Sequence, residues 1–122
     1  LSRLTLTTQG DDHMAEQIVK QLHKLIDTIK VVDLTQGAHI ERELMLVKIK
    51  ATESDVRREL ISCVDIFRGH IIDVTPMTYT VQLAGYSEKL DAFIEAVGDM
   101  GIMEVVRSGV SGISRGDKFL RV

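Results

Sequence analysis

The chain has 122 residues, of which 44% are hydrophobic and 27% are charged, and its formal net charge is −3. This composition is typical of one ordinary domain, or two very small ones, with a hydrophobic core. A net negative charge argues against binding along a phosphate backbone, and the absence of Trp argues against base stacking. No apolar run approaches the roughly 18 residues of a membrane helix. The single cysteine, Cys63, excludes an intramolecular disulfide, so we expect a reducing, cytoplasmic setting.

Two strands and a helix are predicted in the first third of the chain. Residues 3–8 alternate between apolar and polar side chains, with Leu4 and Leu6 on one side, which is typical of a strand with one buried face. Gly10 and the two aspartates after it predict a turn and a helix N-cap. Residues 29–35 are rich in β-branched side chains and predict the second strand. The apolar stripe of the helix consists of Met14, Ile18, Leu22, Leu25 and Ile29.

The remainder of the chain predicts the order β-α-β-β-α-β, from which we expect a four-stranded antiparallel sheet with both helices on one face. Thr52 and Asp55 have the spacing of a capping box, and Ser87 is the predicted cap of the second helix. The first helix is predicted to end at Arg68 and Gly69, with the glycine in the left-handed conformation. The predicted strands are 44–49, 71–74, 79–83 and 102–107, and the two helix stripes are Val56, Leu60, Val64 and Phe67, then Leu90, Phe93, Ile94 and Val97.

The predicted fold class is α+β, with two ferredoxin-like modules, the first incomplete at its N-terminus. Residues 1–37 repeat, in the order strand, glycine, helix and strand, the last three elements of residues 43–108. We expect the opening β-α-β of the first module, about 30 to 40 residues, before residue 1. The alternative is that residues 1–37 are an appendage of a single domain. Residues 38–42 are the predicted linker, and residues 109–122 are a basic tail rich in Gly and Ser.

No catalytic or metal-binding constellation is predicted. Cys63 falls on or beside an apolar helix stripe, where a thiol usually serves as packing. The histidines sit singly and lack the spacing of metal ligands, although His70 beside an oligomer axis could hold a stray cation. The carboxylates follow helix caps and solvent faces, so paired acid–base catalysis has no support. We therefore predict no catalytic residue, no metal site and no cofactor in this chain. The four histidines are His13, His23, His39 and His70.

The C-terminal segment contains several glycines but matches neither a phosphate-binding loop nor a dinucleotide fingerprint. Its cations outnumber its one acid, Asp117, which favours a flexible docking tail over a phosphate site. The predicted partner-docking residues are Arg107, Arg115, Lys118 and Arg121.

Several blocks together resemble the small-subunit family of acetolactate (acetohydroxyacid) synthases. They are distributed over nearly the whole chain, and in combination they are far more specific than any one alone. The blocks are 21–27 (QLHKLID) running into Val31-Val32, 41–48 (ERELMLVK), 67–69 (FRG) leading into 71–76 (IIDVTP), 79–85 (YTVQLAG), 89–93 (KLDAF), 107–110 (RSGV) and 115–118 (RGDK).

The resemblance implies an N-terminal ACT domain followed by a ferredoxin-like, ACT-like domain. It implies a non-catalytic regulatory subunit that activates the catalytic large subunit and makes it sensitive to feedback by valine or another branched-chain amino acid, in the biosynthesis of isoleucine, leucine and valine. Thiamine diphosphate, Mg and FAD are expected on the large subunit. The family's effector is held at an ACT–ACT dimer interface by an Asn/Gly-containing loop, which no position here matches, so the effector-binding residues are unknown. We expect a homodimer or a larger assembly that binds neither nucleic acid nor membrane.

Two alternatives to this function remain. One is a different ACT-type or ferredoxin-like sensor, such as a regulator of transcription that responds to an amino acid or a metal. It would need a DNA-binding element, and neither a basic ribbon nor a helix-turn-helix is apparent. The other is an enzyme, since small α/β sandwiches do host catalysis, but it would need a reactive His, Cys or acid pair in a cleft.

Overall fold

The computed structural model describes residues 3–24 and 31–120, which fall into two units. One unit is Arg42–Val110, and the other is Leu1–Glu41 together with Ser111–Val122. The elements in chain order are α1 (Asp12–His23), a 3₁₀ helix (Leu34–Gln36), β1 (His39–Lys50), α2 (Ser54–Ile66), β2 (His70–Val74), β3 (Thr78–Gly85), α3 (Ser87–Val97), a second 3₁₀ helix (Gly98–Met100) and β4 (Ile102–Ser114).

The unit Arg42–Val110 has the predicted β-α-β-β-α-β order and forms one four-stranded sheet. The strands lie in the order β2-β3-β1-β4, and β3 is antiparallel to both β1 and β2, with Val47 opposite Val81 and His70 opposite Gln82. The other neighbour of β1 is β4, and just before β4 begins the Gly101 carbonyl accepts the Lys50 N–H at 2.9 Å. The prediction of an α+β, ferredoxin-like fold is confirmed.

The core lies between the sheet and the two helices of this unit. Phe93 of α3 is fully buried, and its ring meets that of Phe67 edge-on, with centroids 5.4 Å apart and planes at 84°. Both predicted helix stripes therefore face the sheet. The buried side chains are Met45, Val47, Ile49 and Ala51 around β1, Tyr79, Val81 and Leu83 on β3, Leu60 and Val64 on α2, and Leu90, Phe93 and Val97 on α3.

The end of α2 differs from the prediction. Arg68, not Gly69, adopts the left-handed conformation, with φ of 58°. The Arg68 N–H donates to the Asp65 carbonyl at 3.1 Å and the Gly69 N–H to the Val64 carbonyl at 2.9 Å, the two bonds of a Schellman motif. Gly69 is needed for a different reason, because a Cβ there would lie 2.9 Å from the Gln82 carbonyl oxygen. The glycine lets the chain pass close to β3.

The two predicted helix caps in this unit are wrong. Helix α2 begins at Ser54, and no side chain caps it. The N-cap position is Glu53, so Thr52 lies one residue too early to form the capping box with Asp55. The Ser87 hydroxyl does not cap α3 either, because it is used elsewhere, as described below.

The side chain of Arg57 holds the loop between β2 and β3 by hydrogen bonds that the sequence did not predict. The guanidinium of Arg57 donates from Nε to the Ala51 carbonyl at 2.6 Å and from Nη2 to the Thr75 and Pro76 carbonyls at 2.8 Å each. It also lies 4.9 Å from the centroid of the Tyr79 ring. A planar cation with several N–H groups satisfies three carbonyls at once, which a lysine could not do in this geometry.

In the other unit, α1 confirms the predicted helix and its cap, because the Asp11 Oδ1 accepts the Met14 N–H at 2.9 Å. The predicted strand at 3–8 is wrong. These residues form no strand, and Leu4 is 80% exposed. Alternating side chains form a strand only where the backbone N–H and C=O groups pair with another strand. Here it is the Arg3 side chain that donates a hydrogen bond, to the Gly112 carbonyl.

The second predicted strand, 29–35, is also wrong where the structure describes it. Residues 31–33 belong to no element, and Leu34–Gln36 is a 3₁₀ helix. The Asp33 carboxylate accepts the Thr35 N–H at 3.0 Å and its hydroxyl at 2.6 Å, so the aspartate turns the chain and ends extended structure. Residues 29 and 30 lie outside the described residues, as do Leu25 and Ile29 of the predicted helix stripe.

The predicted linker and tail are partly strand. Strand β1 begins at His39, inside the predicted linker 38–42, and β4 continues to Ser114, well into the predicted tail 109–122. The Arg115 N–H donates to the Ala38 carbonyl at 3.1 Å. Backbone hydrogen bonding between these two segments therefore extends beyond the apolar residues from which the strands were predicted. Gly109, with φ of 79°, lets the strand pass through an irregular position where a side chain would be strained.

Candidate functional site

Among the described residues, Glu43 is the one charged side chain that is buried, with 6% of its surface exposed. It lies on β1 and accepts four hydrogen bonds. Two come from the guanidinium of Arg107 on β4, from Nε at 3.1 Å and from Nη2 at 2.7 Å. The others come from the Ser87 hydroxyl at 3.1 Å and the Gly109 N–H at 3.2 Å. This Glu43 cluster ties β1, β4 and the first turn of α3 to one carboxylate.

The electrostatics of the Glu43 cluster favour an ion pair at neutral pH. The hydrogen bonds from Arg107 lower the pKa of the Glu43 carboxyl against the opposing effect of burial, and those from Ser87 and Gly109 add to the lowering. The carboxylates of Glu43 and then Asp91 raise the pKa of Arg107. A carboxylate that stays charged is a poor general acid, so we infer a structural and positioning role for this cluster.

The four predicted docking cations do not form one group. Arg107 is paired with Glu43 and also donates to Asp91, so two carboxylates compensate its charge. Arg115 and Lys118 come together around a cavity in the other unit. Arg121 lies outside the described residues. Only the pair Arg115 and Lys118 therefore remains as a cationic site that the structure assembles.

The face of the sheet opposite the helices is open in the Arg42–Val110 unit. Leu44 and Val106 are 43% and 53% exposed there. Lys48 and Glu104 lie on the same face, with Nζ and Oε2 3.9 Å apart. A shallow groove of about 180 Å³ runs across this open sheet face, and its lining residues are Leu46, Lys48, Thr80, Glu104 and Val106.

The sequence of β1 carries a signal for the open sheet face. Residues 44–47 are apolar without alternation, so β1 carries hydrophobic side chains on both faces. Met45 and Val47 enter the core, while Leu44 and Leu46 lie on the other face. A continuous apolar run is typical of a strand that is covered on both sides. We infer that this face is available for a partner.

Cys63 lies against the core of its unit, whereas His39 lies beside polar groups. Cys63 is partly buried and packs against the core, as predicted. The His39 ring lies 3.2 Å from the Gly37 carbonyl and 3.3 Å from the Glu41 carboxylate, which together raise the pKa of His39, the Gly37 carbonyl most. No group of three His, Cys, Asp or Glu within residues 3–24 and 31–120 has the arrangement of a metal site. Nor does that part of the chain contain a helix long and apolar enough to cross a membrane.

Comparison with known proteins gives one consistent result. The family described as the small subunit of acetolactate synthase matches residues 42–116. The isozyme 3 small subunit of Salmonella typhimurium LT2 is 59% identical over 99% of this chain and 74% of its own length, and the Haemophilus influenzae small subunit is 51% identical over 97% and 72%. The solved structure of the Thermotoga maritima small subunit superposes with a TM-score of 0.80 at 34% identity, covering 90% of this chain and 68% of that one.

Proposed function

Because the chain belongs to the acetolactate synthase small-subunit family, we propose that it is the regulatory subunit of that enzyme and activates a catalytic large subunit. The observation that carries the proposal is the 59% identity to an acetolactate synthase small subunit along 99% of the chain. Resemblance of this extent covers both units, not the ferredoxin-like fold alone, which many unrelated proteins share. The proposed setting is the cytoplasm, in branched-chain amino acid biosynthesis.

In this proposal the large subunit performs the chemistry. Glu43, the buried carboxylate of this chain, is held ionised by Arg107 and has no role in proton transfer. We propose that thiamine diphosphate, Mg and FAD belong to the large subunit, and that the purified chain alone forms no acetolactate from pyruvate. Turnover by the isolated chain would contradict this assignment.

Feedback inhibition by valine or another branched-chain amino acid is part of the proposal. An effector acts on a distant active site only if it binds one arrangement of the complex more tightly than another. The family places that effector between two small subunits, so we propose at least a homodimer. No effector-binding residue is assigned in this chain.

We propose the open sheet face as the surface that contacts the large subunit. It carries exposed apolar side chains, with Leu44 and Val106 43% and 53% exposed, and the charged pair Lys48 and Glu104. Exposed apolar side chains beside a few charged ones are a usual composition of a specific interface. Arg115, Lys118 and Arg121 remain predicted contributors of salt-sensitive attraction, whereas Arg107 is already paired within the Glu43 cluster.

The experiment is co-purification of the chain with its large subunit, comparing two substitutions of similar chemistry on opposite faces. Val106→Asp places a charge on the open sheet face, and we expect binding to fall at least about 10-fold because that carboxylate would be buried on association. Ile61→Asp is the matched control, since Ile61 is 40% exposed on α2 and away from this face. Equal binding by both variants would exclude the open sheet face, and failure of the unchanged protein to bind would refute the proposed function.

A further inference from the structure

A small cavity in the other unit brings together residues that are distant in sequence. Its volume is about 290 Å³, and it lies between the chain around the first 3₁₀ helix and the chain that follows β4. The hydrogen bond from the Arg115 N–H to the Ala38 carbonyl, 3.1 Å long, holds these two segments side by side. Gly116, with φ of 70°, turns the chain immediately afterwards, and Lys118 lines the same cavity as Arg115.

The charges of this cavity favour an anion. Arg115 and Lys118 supply two cations, and within residues 3–24 and 31–120 neither side chain has an ion-pair or hydrogen-bond partner. Asp33 is the one acid in the lining, and its carboxylate is already used to accept the N–H and hydroxyl of Thr35. A guanidinium and an ammonium that line one cavity can each donate to an oxygen of a carboxylate.

The rest of the lining gives the size and character of the ligand. Val32 and Leu34 supply apolar wall, which suits a short hydrocarbon stem. At about 30 Å³ for each water-sized group, the cavity has room for about ten non-hydrogen atoms. A concave site of this size suits a small molecule better than a flat protein surface.

We propose that this cavity binds a short aliphatic carboxylate, with the carboxylate between Arg115 and Lys118 and the stem against Val32 and Leu34. The site belongs to one unit, so binding does not depend on the large subunit or on the proposed regulatory function. It uses two of the cations predicted for partner docking, which line one open cavity.

The test is an amide chemical-shift titration of the full 122-residue protein with three probes. Sodium butyrate should shift the amides of Gly37, Ala38 and Arg115 saturably, with a Kd on the order of 1–10 mM as expected for so small a ligand. Butyramide has the same shape without the charge and should produce no saturable shift. Inorganic phosphate distinguishes a carboxylate site from a general oxyanion site, and we expect it to compete only weakly.

Two pairs of substitutions provide the variant and its control. Arg115→Met with Lys118→Met should weaken butyrate binding at least about 10-fold, because both charges are removed. Lys20→Met with Arg58→Met removes the same total charge from outside the cavity, and butyrate affinity should stay within about 2-fold, since distant exposed charges are screened. If the first pair does not fold, Lys118→Met alone should weaken binding about 3-fold.

Several results would overturn the proposal. They are the absence of saturation by butyrate at about 50 mM, equal binding of butyramide, and unchanged affinity in the Arg115 and Lys118 variants. Tight binding of phosphate without binding of butyrate would overturn the assignment to a carboxylate. None of these measurements includes the large subunit, so their failure is distinct from a failure of the proposed function.

Discussion

Replacing Glu43 with Gln should destabilise the Arg42–Val110 unit by about 2 kcal/mol, because hydrogen bonds to a charged acceptor contribute about 1.5–3 kcal/mol and an amide retains only part of them. The amide also presents an N–H₂ group to donors, such as the Gly109 N–H, that approach the carboxylate at 3.2 Å. The loss should stay below the 3–5 kcal/mol of a fully buried broken pair. Arg107 is 30% exposed and keeps Asp91 as a partner, so its charge is not stranded.

Urea denaturation, followed by far-UV circular dichroism, measures this effect, with an expected fall in the midpoint of about 1 M at an unchanged slope. Asp91→Asn is the matched control, because Asp91 pairs with the same Arg107 but is 65% exposed. An exposed ion pair contributes about 0–1 kcal/mol, so the control should remain close to the parent. If Glu43→Gln lost less than about 0.5 kcal/mol, or no more than Asp91→Asn, the assignment of Glu43 as the centre of the cluster would be refuted.

The same residue predicts the direction of the pH dependence. The pKa of Glu43 is lowered in the folded state, chiefly by the hydrogen bonds from Arg107, so the unfolded chain binds this proton more tightly. The pair's contribution to stability is therefore complete above the unfolded pKa, about 4.5, and is lost as the pH falls through the lowered folded value. Stability measured from pH 7 to pH 3 should fall less steeply for Glu43→Gln than for the parent, and parallel curves would contradict the lowered pKa.

Three further predictions follow from the packing and from one histidine. Leu60→Ala and Phe93→Ala should each cost about 2–5 kcal/mol, as both side chains are fully buried, and unchanged denaturation midpoints would contradict the core. Gly69→Ala should cost about 1–3 kcal/mol, because its Cβ would approach the backbone. Gly98→Ala should be neutral or stabilising, because a Cβ there would lie in open space and φ is −55°. A larger loss for Gly98→Ala than for Gly69→Ala would contradict the described loop. An NMR titration should place the pKa of His39 above 6.5, and a value at or below it would contradict the contacts of that ring.

The sequence predicted the core of the Arg42–Val110 unit well because the relevant signal is local. Helical spacing identified Leu60 and Phe93, and both are fully buried against the sheet. The contacts that join distant positions were not predictable in this way. Glu43 and Arg107 are 64 positions apart, and each looks like an ordinary surface charge until β1 and β4 are placed side by side.

Predictions failed mainly where a local pattern depended on a partner. The alternation at 3–8 predicted a strand, but no residue that the structure describes pairs with it as one. Asp33 interrupts the β-branched run before Leu34, because its carboxylate accepts hydrogen bonds from the N–H and the hydroxyl of Thr35. The cations were grouped by sequence proximity, yet Arg107 is paired within the Glu43 cluster while Arg115 lines a cavity.

Acetolactate formation by the catalytic large subunit of the same organism, measured with and without this chain, tests the proposed regulatory role. We expect no turnover by the chain alone and a several-fold rise in the turnover of the large subunit as the chain is added, saturating when the two are in fixed proportion. Valine or another branched-chain amino acid, added to the complex, should lower this rate. A turnover number that does not change at any concentration of the chain would contradict the proposed regulatory role.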